Sequence, residues 1–325
     1  MKTTWYALVA ALAFFAACGE KTEETTQDEQ TETPKEAAAE KKSDVDFAKE
    51  FEETISVMDV SKIEATEQAA EKYNELAADA SDRERDEMFE DFFLLYKRVF
   101  AKNKELERLE MKRRMELGAY MMDGAYDPEA EKNLKFYKDS PYDIVFYGIG
   151  AYPTLTVDYA WIEENLTKLG PESKRFLEFM KFKEENQLYT LFAEFEVNLK
   201  NAEQIMLRAG KILEEHPAHV GRDRIELEFM SALTSYFSIY NEVDESSGIK
   251  IYDHSAKKYT PEMQKRIRDF ANAHPDTWAG GHFKKMIELL ERTDFAYEGP
   301  AQAYHEGFQN KANQLRNKIM GKENQ

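Results

Sequence analysis

The sequence predicts an all-α protein, an array of helical hairpins forming a bundle or a short solenoid. Three observations predict it: apolar residues at helical spacing, prolines placed where helices begin, and paired capping residues. Phe89, Phe92, Phe93, Tyr96 and Phe100 fall at i, i+3, i+4, i+7 and i+11. Leu188, Leu191, Phe192, Phe195 and Leu199 repeat the spacing, and Tyr304, Phe308, Leu315 and Ile319 continue it near the end of the chain. Residues at these intervals lie on one helix face, so the stripes are read as core. Pro128, Pro141, Pro171, Pro261 and Pro300 each follow a turn-forming residue. Proline suits the first helical position, where a backbone N–H has no partner. Ser61 with Glu64 and Ser81 with Glu84 have the spacing of capping boxes. Small irregular segments are expected near 142–160 and 249–253, the only stretches where an extended sheet would not contradict this reading.

One internal echo supports hairpins. His216-Pro217 and His274-Pro275 are each flanked by helical patterns, with Ile212 matching Phe270, Val220 matching Trp278, Ile225 matching Phe283 and Phe229 matching Ile287. Each copy reads as helix, His-Pro turn, helix. The unit resembles the hairpin of tetratricopeptide-like solenoids. The signature residues of that family are absent, and two copies fall short of the three that make a stable stack.

The first residues follow another logic. Lys2 supplies positive charge, Trp5 to Ala17 is apolar, and Phe15-Ala16-Ala17-Cys18 ends the run with small residues before a cysteine. Charge, apolar core and small-residue exit are the zones of a secretory signal peptide, and the run is too short for a spanning helix, which needs about 20 apolar residues. Residues 15–18 resemble a lipobox, the cleavage motif of bacterial lipoproteins, with Phe15 in place of the usual aliphatic residue. The resemblance implies cleavage after Ala17, a diacylglyceryl thioether on Cys18 and acylation of the new amino terminus. Several acyl chains on one residue make a lasting anchor. Cys18 is the single cysteine, so an acylated chain has no thiol left for disulfides, nucleophilic catalysis or zinc.

The expected organisation is therefore a signal peptide at 1–17, a lipidated cysteine and acidic tether at 18–43, and a helical body at 44–325, as one large domain or two closely packed ones. The tether contains no aromatic and no large aliphatic residue, so it cannot bury enough surface to offset the entropy of ordering. A flexible chain of roughly 25 residues spans about 25–30 Å, more when its charges repel. The formal net charge of −19 argues against nucleic acid, whose phosphates are bound by clustered Lys and Arg. It leaves membrane contact to the acyl chains.

No catalytic or cofactor motif emerges. Gly148-Ile149-Gly150 begins like a dinucleotide fingerprint, but Pro153 stands where the third glycine belongs. Asp244–Gly248 has the composition of a calcium loop with its glycine one position early, and is read as a turn. His216 and His219 are separated by a proline that disrupts ligand geometry, and both His216 and His274 are read as structural. No cofactor and no metal are therefore assigned. The remaining candidate is an aromatic stretch interrupted by glycines and a proline, with Tyr142, Tyr147, Tyr152, Tyr159 and Trp161 as a partner-binding surface; the competing reading is core packing. The function expected is that of an envelope lipoprotein, outer membrane favoured and surface exposure open, acting as a scaffold or binding protein for a protein or small ligand. A carboxylate-based enzyme acting on envelope polymers and a periplasmic metal-binding lipoprotein are the alternatives.

Overall fold

A computed structural model describes residues 45–102, 141–147, 152–189 and 196–323, without the side chains of 143–147, 152–156 and 322–323. Cys18, the rest of 18–43 and residues 148–151 lie outside the described residues.

The body opens with three helices, α1 (Phe47–Ser56), α2 (Glu64–Ala77) and α3 (Asp82–Lys102). Asp46 caps α1 through the Lys49 amide. Phe51 packs edge-on to Tyr73, and the Lys72–Glu50 ion pair at 3.0 Å ties α2 to α1. Ser81 and Glu84 form the expected capping box, each side chain bonded to the other's backbone N–H at 3.3 Å and 2.8 Å. Ser61 and Glu64 do not. Asp59 takes both the amide and the hydroxyl of Ser61 in a tight turn, and α2 has no side-chain cap.

The phenylalanine stripe of α3 is core, with Phe89, Phe92, Phe93 and Tyr96 buried. Beyond α3 comes an antiparallel ribbon, β1 (Tyr142–Tyr147) with β2 (Tyr152–Val157), in the register Tyr142↔Val157 to Tyr147↔Tyr152. Pro141 therefore precedes a strand and not a helix. Helix α4 (Tyr159–Asn165) is capped by Asp158, and α5 (Pro171–Glu185) carries its proline in the first turn as expected. Asn74 on α2 holds the exit of α4, donating to the Asn165 carbonyl and accepting from the Thr167 amide, both at 2.7 Å.

The helix expected from Leu188 to Leu199 is absent at its described ends. Leu188 lies in the connection after α5, Glu196–Val197 form strand β3, and Leu199 opens α6 (Leu199–Glu215). Asn186 and Asn198 explain the break. Asn186 closes α5 on the Phe182 carbonyl, and Asn198 caps α6. Leu191, Phe192 and Phe195 lie outside the described residues.

The second half is built from hairpins, as the His-Pro echo implied. Helix α6 pairs with α7 (Arg222–Tyr236), and α8 (Pro261–Ala273) with α9 (Trp278–Glu291). His216 and His274 occupy the C-cap of α6 and of α8, each amide bonded to a carbonyl four residues back. Between the hairpins run β4 (Val243–Asp244), parallel to β3, and a ribbon of β5 (Tyr252–Asp253) with β6 (Lys258–Tyr259). Asp244 is fully buried. Its carboxylate accepts from the Leu199 amide, the Ser246 amide and hydroxyl, and Arg266, whose other edge meets Glu203. The calcium-like loop is thus a turn organised by its own acid. Helix α10 (Gly299–Glu323), with Phe308 and Leu315 buried, lies along α7 and also meets α9 and α3. Residues from Val45 onward form one compact unit with one continuous apolar core. The class is all-α, its ribbons confined to connections. Among the described residues no helix is long and apolar enough to cross a membrane.

Candidate functional site

The aromatic stretch singled out in the sequence divides between core and undescribed side chains. Tyr142 is buried, its hydroxyl donating to the Tyr96 carbonyl at 3.2 Å and sharing a 3.3 Å hydrogen bond with the Thr66 hydroxyl. The Tyr96 hydroxyl in turn donates to the Pro141 carbonyl and accepts from the Asp158 amide at 3.0 Å. One tyrosine on α3 thereby clamps both feet of the β1–β2 ribbon. Desolvation pushes the phenols of Tyr96 and Tyr142 far above their usual range. Tyr159 is buried against Phe93, and half-buried Trp161 packs on the same core. Tyr142 and Tyr159 thus belong to the interior and are not available as a partner surface, because their rings fill the space between α3 and the ribbon. The side chains of Tyr147 and Tyr152 lie outside the described part.

A different place has the character of a site. A cleft of about 180 Å³ forms where four elements meet. Helix α3 contributes Glu90, Phe93 and Leu94, at i, i+3 and i+4. Phe176 comes from α5, Ile319 from the last turns of α10, and His219 with Gly221, Arg222, Asp223 and Arg224 from the α6–α7 turn. Gly221 makes that turn possible. Its φ is +72°, and an added Cβ would sit 2.5 Å from the Phe176 ring, so only glycine brings the turn this close. Glu172 on α5 accepts from the Val220 amide at 2.9 Å and holds the turn from the other side.

His219 is 4% exposed. Its Nδ1 bonds the Val220 carbonyl, which can only accept, so the proton of the neutral ring is on Nδ1 and Nε2 carries a lone pair. Nε2 is buried and has no hydrogen-bond partner among the described residues; Arg175 Nη1 is in the same condition. Burial lowers the pKa of His219, with the neighbouring charge of Arg175 acting in the same direction. The ring is therefore neutral near pH 7 and offers an acceptor. A buried acceptor left unpaired costs about 1–3 kcal/mol, which marks the position as unusual.

Several of the cleft's charged groups have partners, Arg222 through Nη1 alone. Arg222 donates to the Pro217 carbonyl at 2.9 Å and the Leu213 carbonyl at 3.4 Å, closing the end of α6. Asp223 pairs with Lys318 at 2.7 Å, and Glu90 and Arg224 also have partners. Among the described residues one acid has its pKa pushed up substantially: Asp91, at about 6, raised mainly by burial and then by Glu52, Glu90 and Glu87. It does not line the cleft. The His216 and His219 rings stand 6.2 Å apart, and no third ligand joins them: among the described residues no group of three or more His, Cys, Asp or Glu is placed to hold a metal ion. What the cleft can do is hold an apolar body against Phe93, Leu94, Phe176 and Ile319, while the unpaired Nε2 of His219 is itself closed to solvent.

Sequence reasoning weighed His219 only as half of a metal pair. The usable signal was the Gly221-Arg222-Asp223-Arg224 helix start, which lacks the Ser, Thr, Asp or Asn that ordinarily caps a helix. No family model, curated protein or solved structure matches the chain.

Proposed function

We propose that the chain is the precursor of an envelope lipoprotein whose helical body works as a binding protein outside the cytoplasm, held to a membrane by acyl chains on Cys18. The observation that carries the anchor is the order Lys2, apolar Trp5–Ala17, Phe15-Ala16-Ala17-Cys18. The tether at 18–43 gives the body reach, and the net charge of −19 keeps it soluble and clear of anionic headgroups. The cleft around His219 supports binding as the body's role. It is concave and lined by Phe93, Leu94, Phe176 and Ile319 together with a few polar side chains, as small-ligand sites commonly are.

Membrane fractionation of the native chain and of Cys18→Ser tests the anchor. The native chain stays with membranes after a high-salt wash, and the variant moves to the soluble fraction. A variant that still sediments with washed membranes overturns the proposal. Labelling with radioactive palmitate gives the second readout, positive in the native chain and lost in the variant.

A further inference from the structure

We infer that the seat of α10 on α7 and α9 is an acid-sensitive latch, closed while His282 and His305 are neutral and opened when both rings take up a proton. The latch goes beyond the binding role and stands whether or not the cleft takes a ligand.

Both histidines lie on that seat. His305, on α10 itself, is buried. Its Nε2 bonds the Thr234 carbonyl of α7 at 2.9 Å, and its Nδ1 bonds the Tyr297 hydroxyl at 2.6 Å. A carbonyl can only accept, so the proton of the neutral ring is on Nε2 and Nδ1 accepts from Tyr297. His282 approaches from α9. Its Nδ1 bonds the Tyr304 hydroxyl of α10 at 2.8 Å. Its ring lies among Phe229 of α7, Trp278 of its own helix, and Tyr304 and Phe308 of α10. Its Nε2 is buried with no partner among the described residues.

A second proton fits neither place, because an imidazolium has two N–H donors and no acceptor. At His282 the donor on Nε2 has nothing to meet, whichever nitrogen held the first proton. At His305 the new N–H on Nδ1 meets a hydroxyl that was donating to it, so Tyr297 must reverse its bond. No charge compensates. The pKa of His282 is lowered by burial with no charged neighbour acting on it, and at His305 burial outweighs Glu306, which is on the same helix. The acids of α7 near α10 are taken up by its lysines, Glu226 by Lys311 at 3.2 Å and Asp223 by Lys318 at 2.7 Å.

The closed seat favours neutral rings, so the latch holds above the ordinary histidine value near 6.5 and weakens as pH falls below it. An exposed ring at about 6.5 shifts the balance of closed and open by up to about 30-fold between pH 7.5 and 5.0 for each histidine. A hinge is in place. Gly299, at the start of α10, has φ +55° and nothing among the described residues within 4 Å of where a Cβ would stand, so the backbone turns there without losing packing. Ile319, near the other end of α10, lines the cleft, so opening the latch also takes away one of its walls.

Hydrogen–deuterium exchange of the full-length chain carrying Cys18→Ser tests the latch at pH 7.5 and 5.0, with rates corrected for the intrinsic pH dependence of amide exchange. Peptides within 301–321 lose protection about tenfold or more at pH 5.0, while those of α6 and α8 keep theirs. Adding His282→Phe and His305→Gln keeps a ring at 282 and an amide donor for the Thr234 carbonyl at 305, and neither side chain can charge. In that variant α10 is as protected at pH 5.0 as at 7.5. The inference is overturned if α10 of the first chain keeps its protection at pH 5.0, or loses it together with α6 and α8. It is also overturned if the variant's α10 loosens as much as that of the first chain. The ring ¹⁵N resonances of His282 and His305 give a readout that needs no substitution at either position. They report protonation over the pH range in which α10 begins to exchange, and rings that charge near pH 6.5 with α10 still protected overturn the latch.

Discussion

The foot of the β1–β2 ribbon and the His219 cleft both pack against α3, and they solve the problem of buried polarity in opposite ways. At the ribbon foot every hydroxyl is spent. Tyr96 bonds Pro141 and Asp158, and Tyr142 bonds Tyr96 and Thr66. At the cleft-lining His219 an imidazole nitrogen lies buried with nothing to bond among the described residues. The helix starts on either side repeat the contrast. The first turn of α5 is capped by Asp86, 6% exposed, which accepts from the Ser173 amide and hydroxyl at 2.8 Å and 2.6 Å and from the Glu172 amide at 3.3 Å. The first turn of α7, at the cleft, follows Gly221 and has no side-chain cap. A dense group of tyrosines therefore marks stability where its hydrogen bonds close, and one histidine marks a site where they do not.

The largest test of this contrast is truncation on each side. Tyr142→Ala removes a fully buried ring and its hydrogen bonds to Tyr96 and Thr66, so urea denaturation should show a loss of about 3–5 kcal/mol. Leu94→Ala, on a wall that already opens on a cleft, should lose about 1 kcal/mol or less. Equal losses at the two positions would erase the distinction between ribbon foot and cleft.

A smaller effect is expected at the capped helix. Asp86→Ala takes the long-range cap from α5 and should cost about 1–2 kcal/mol in the same measurement. Gly170→Ala probes the cap from the other direction, because its Cβ would lie 2.2 Å from the Asp86 carboxylate and must push the cap aside. If either variant melts with the native chain, the interaction does not hold the start of α5.

These cases also show how much was legible in the sequence. The α3 stripe, the Ser81–Glu84 box, the proline starts of α5, α8 and α10 and the two His-Pro turns could be read because each depends on residues within a turn or two of one another. The failures were places where a distant residue decided the local structure. Asp59 took Ser61 from its box, β4 paired with Glu196–Val197 in a stretch with helical spacing, and the cap of α5 comes from Asp86 on another helix. The cleft was illegible for the same reason. Its residues come from four elements, and the unpaired state of His219 depends on the Val220 carbonyl and on the absence of a donor from α3, α5 or α10, which no spacing encodes. The aromatic stretch misled because composition cannot tell a spent hydroxyl from a free one.

The smallest expected effect concerns Asp91 on α3, half-buried and next in sequence to the cleft residue Glu90. Burial first, and then the charges of Glu52, Glu90 and Glu87, raise its pKa from 3.8 to about 6. A carboxyl whose folded pKa lies above its unfolded value favours the fold when protonated. Its contribution is fully present below about pH 4 and is lost as pH rises through 6. His219, His282 and His305 have pKa values lowered by burial. Their contributions run the other way, present above the unfolded value near 6.5 and lost as pH falls through the folded values. The native chain's stability against pH therefore mixes opposing terms, but the histidine terms cancel in the difference between native and Asp91→Asn. That difference should be near zero at pH 3.5 and should rise through pH 5–6. By pH 7 it should favour the variant by about 1 kcal/mol, allowing for the solvent screening of a partly exposed side chain. If the difference stays flat across this range, the charge on Asp91 is not opposed by its surroundings. If Asp91→Asn is destabilising at pH 7, the carboxylate has a donor that holds it in the charged form, and the surroundings of Asp91 are as closed as the ribbon foot.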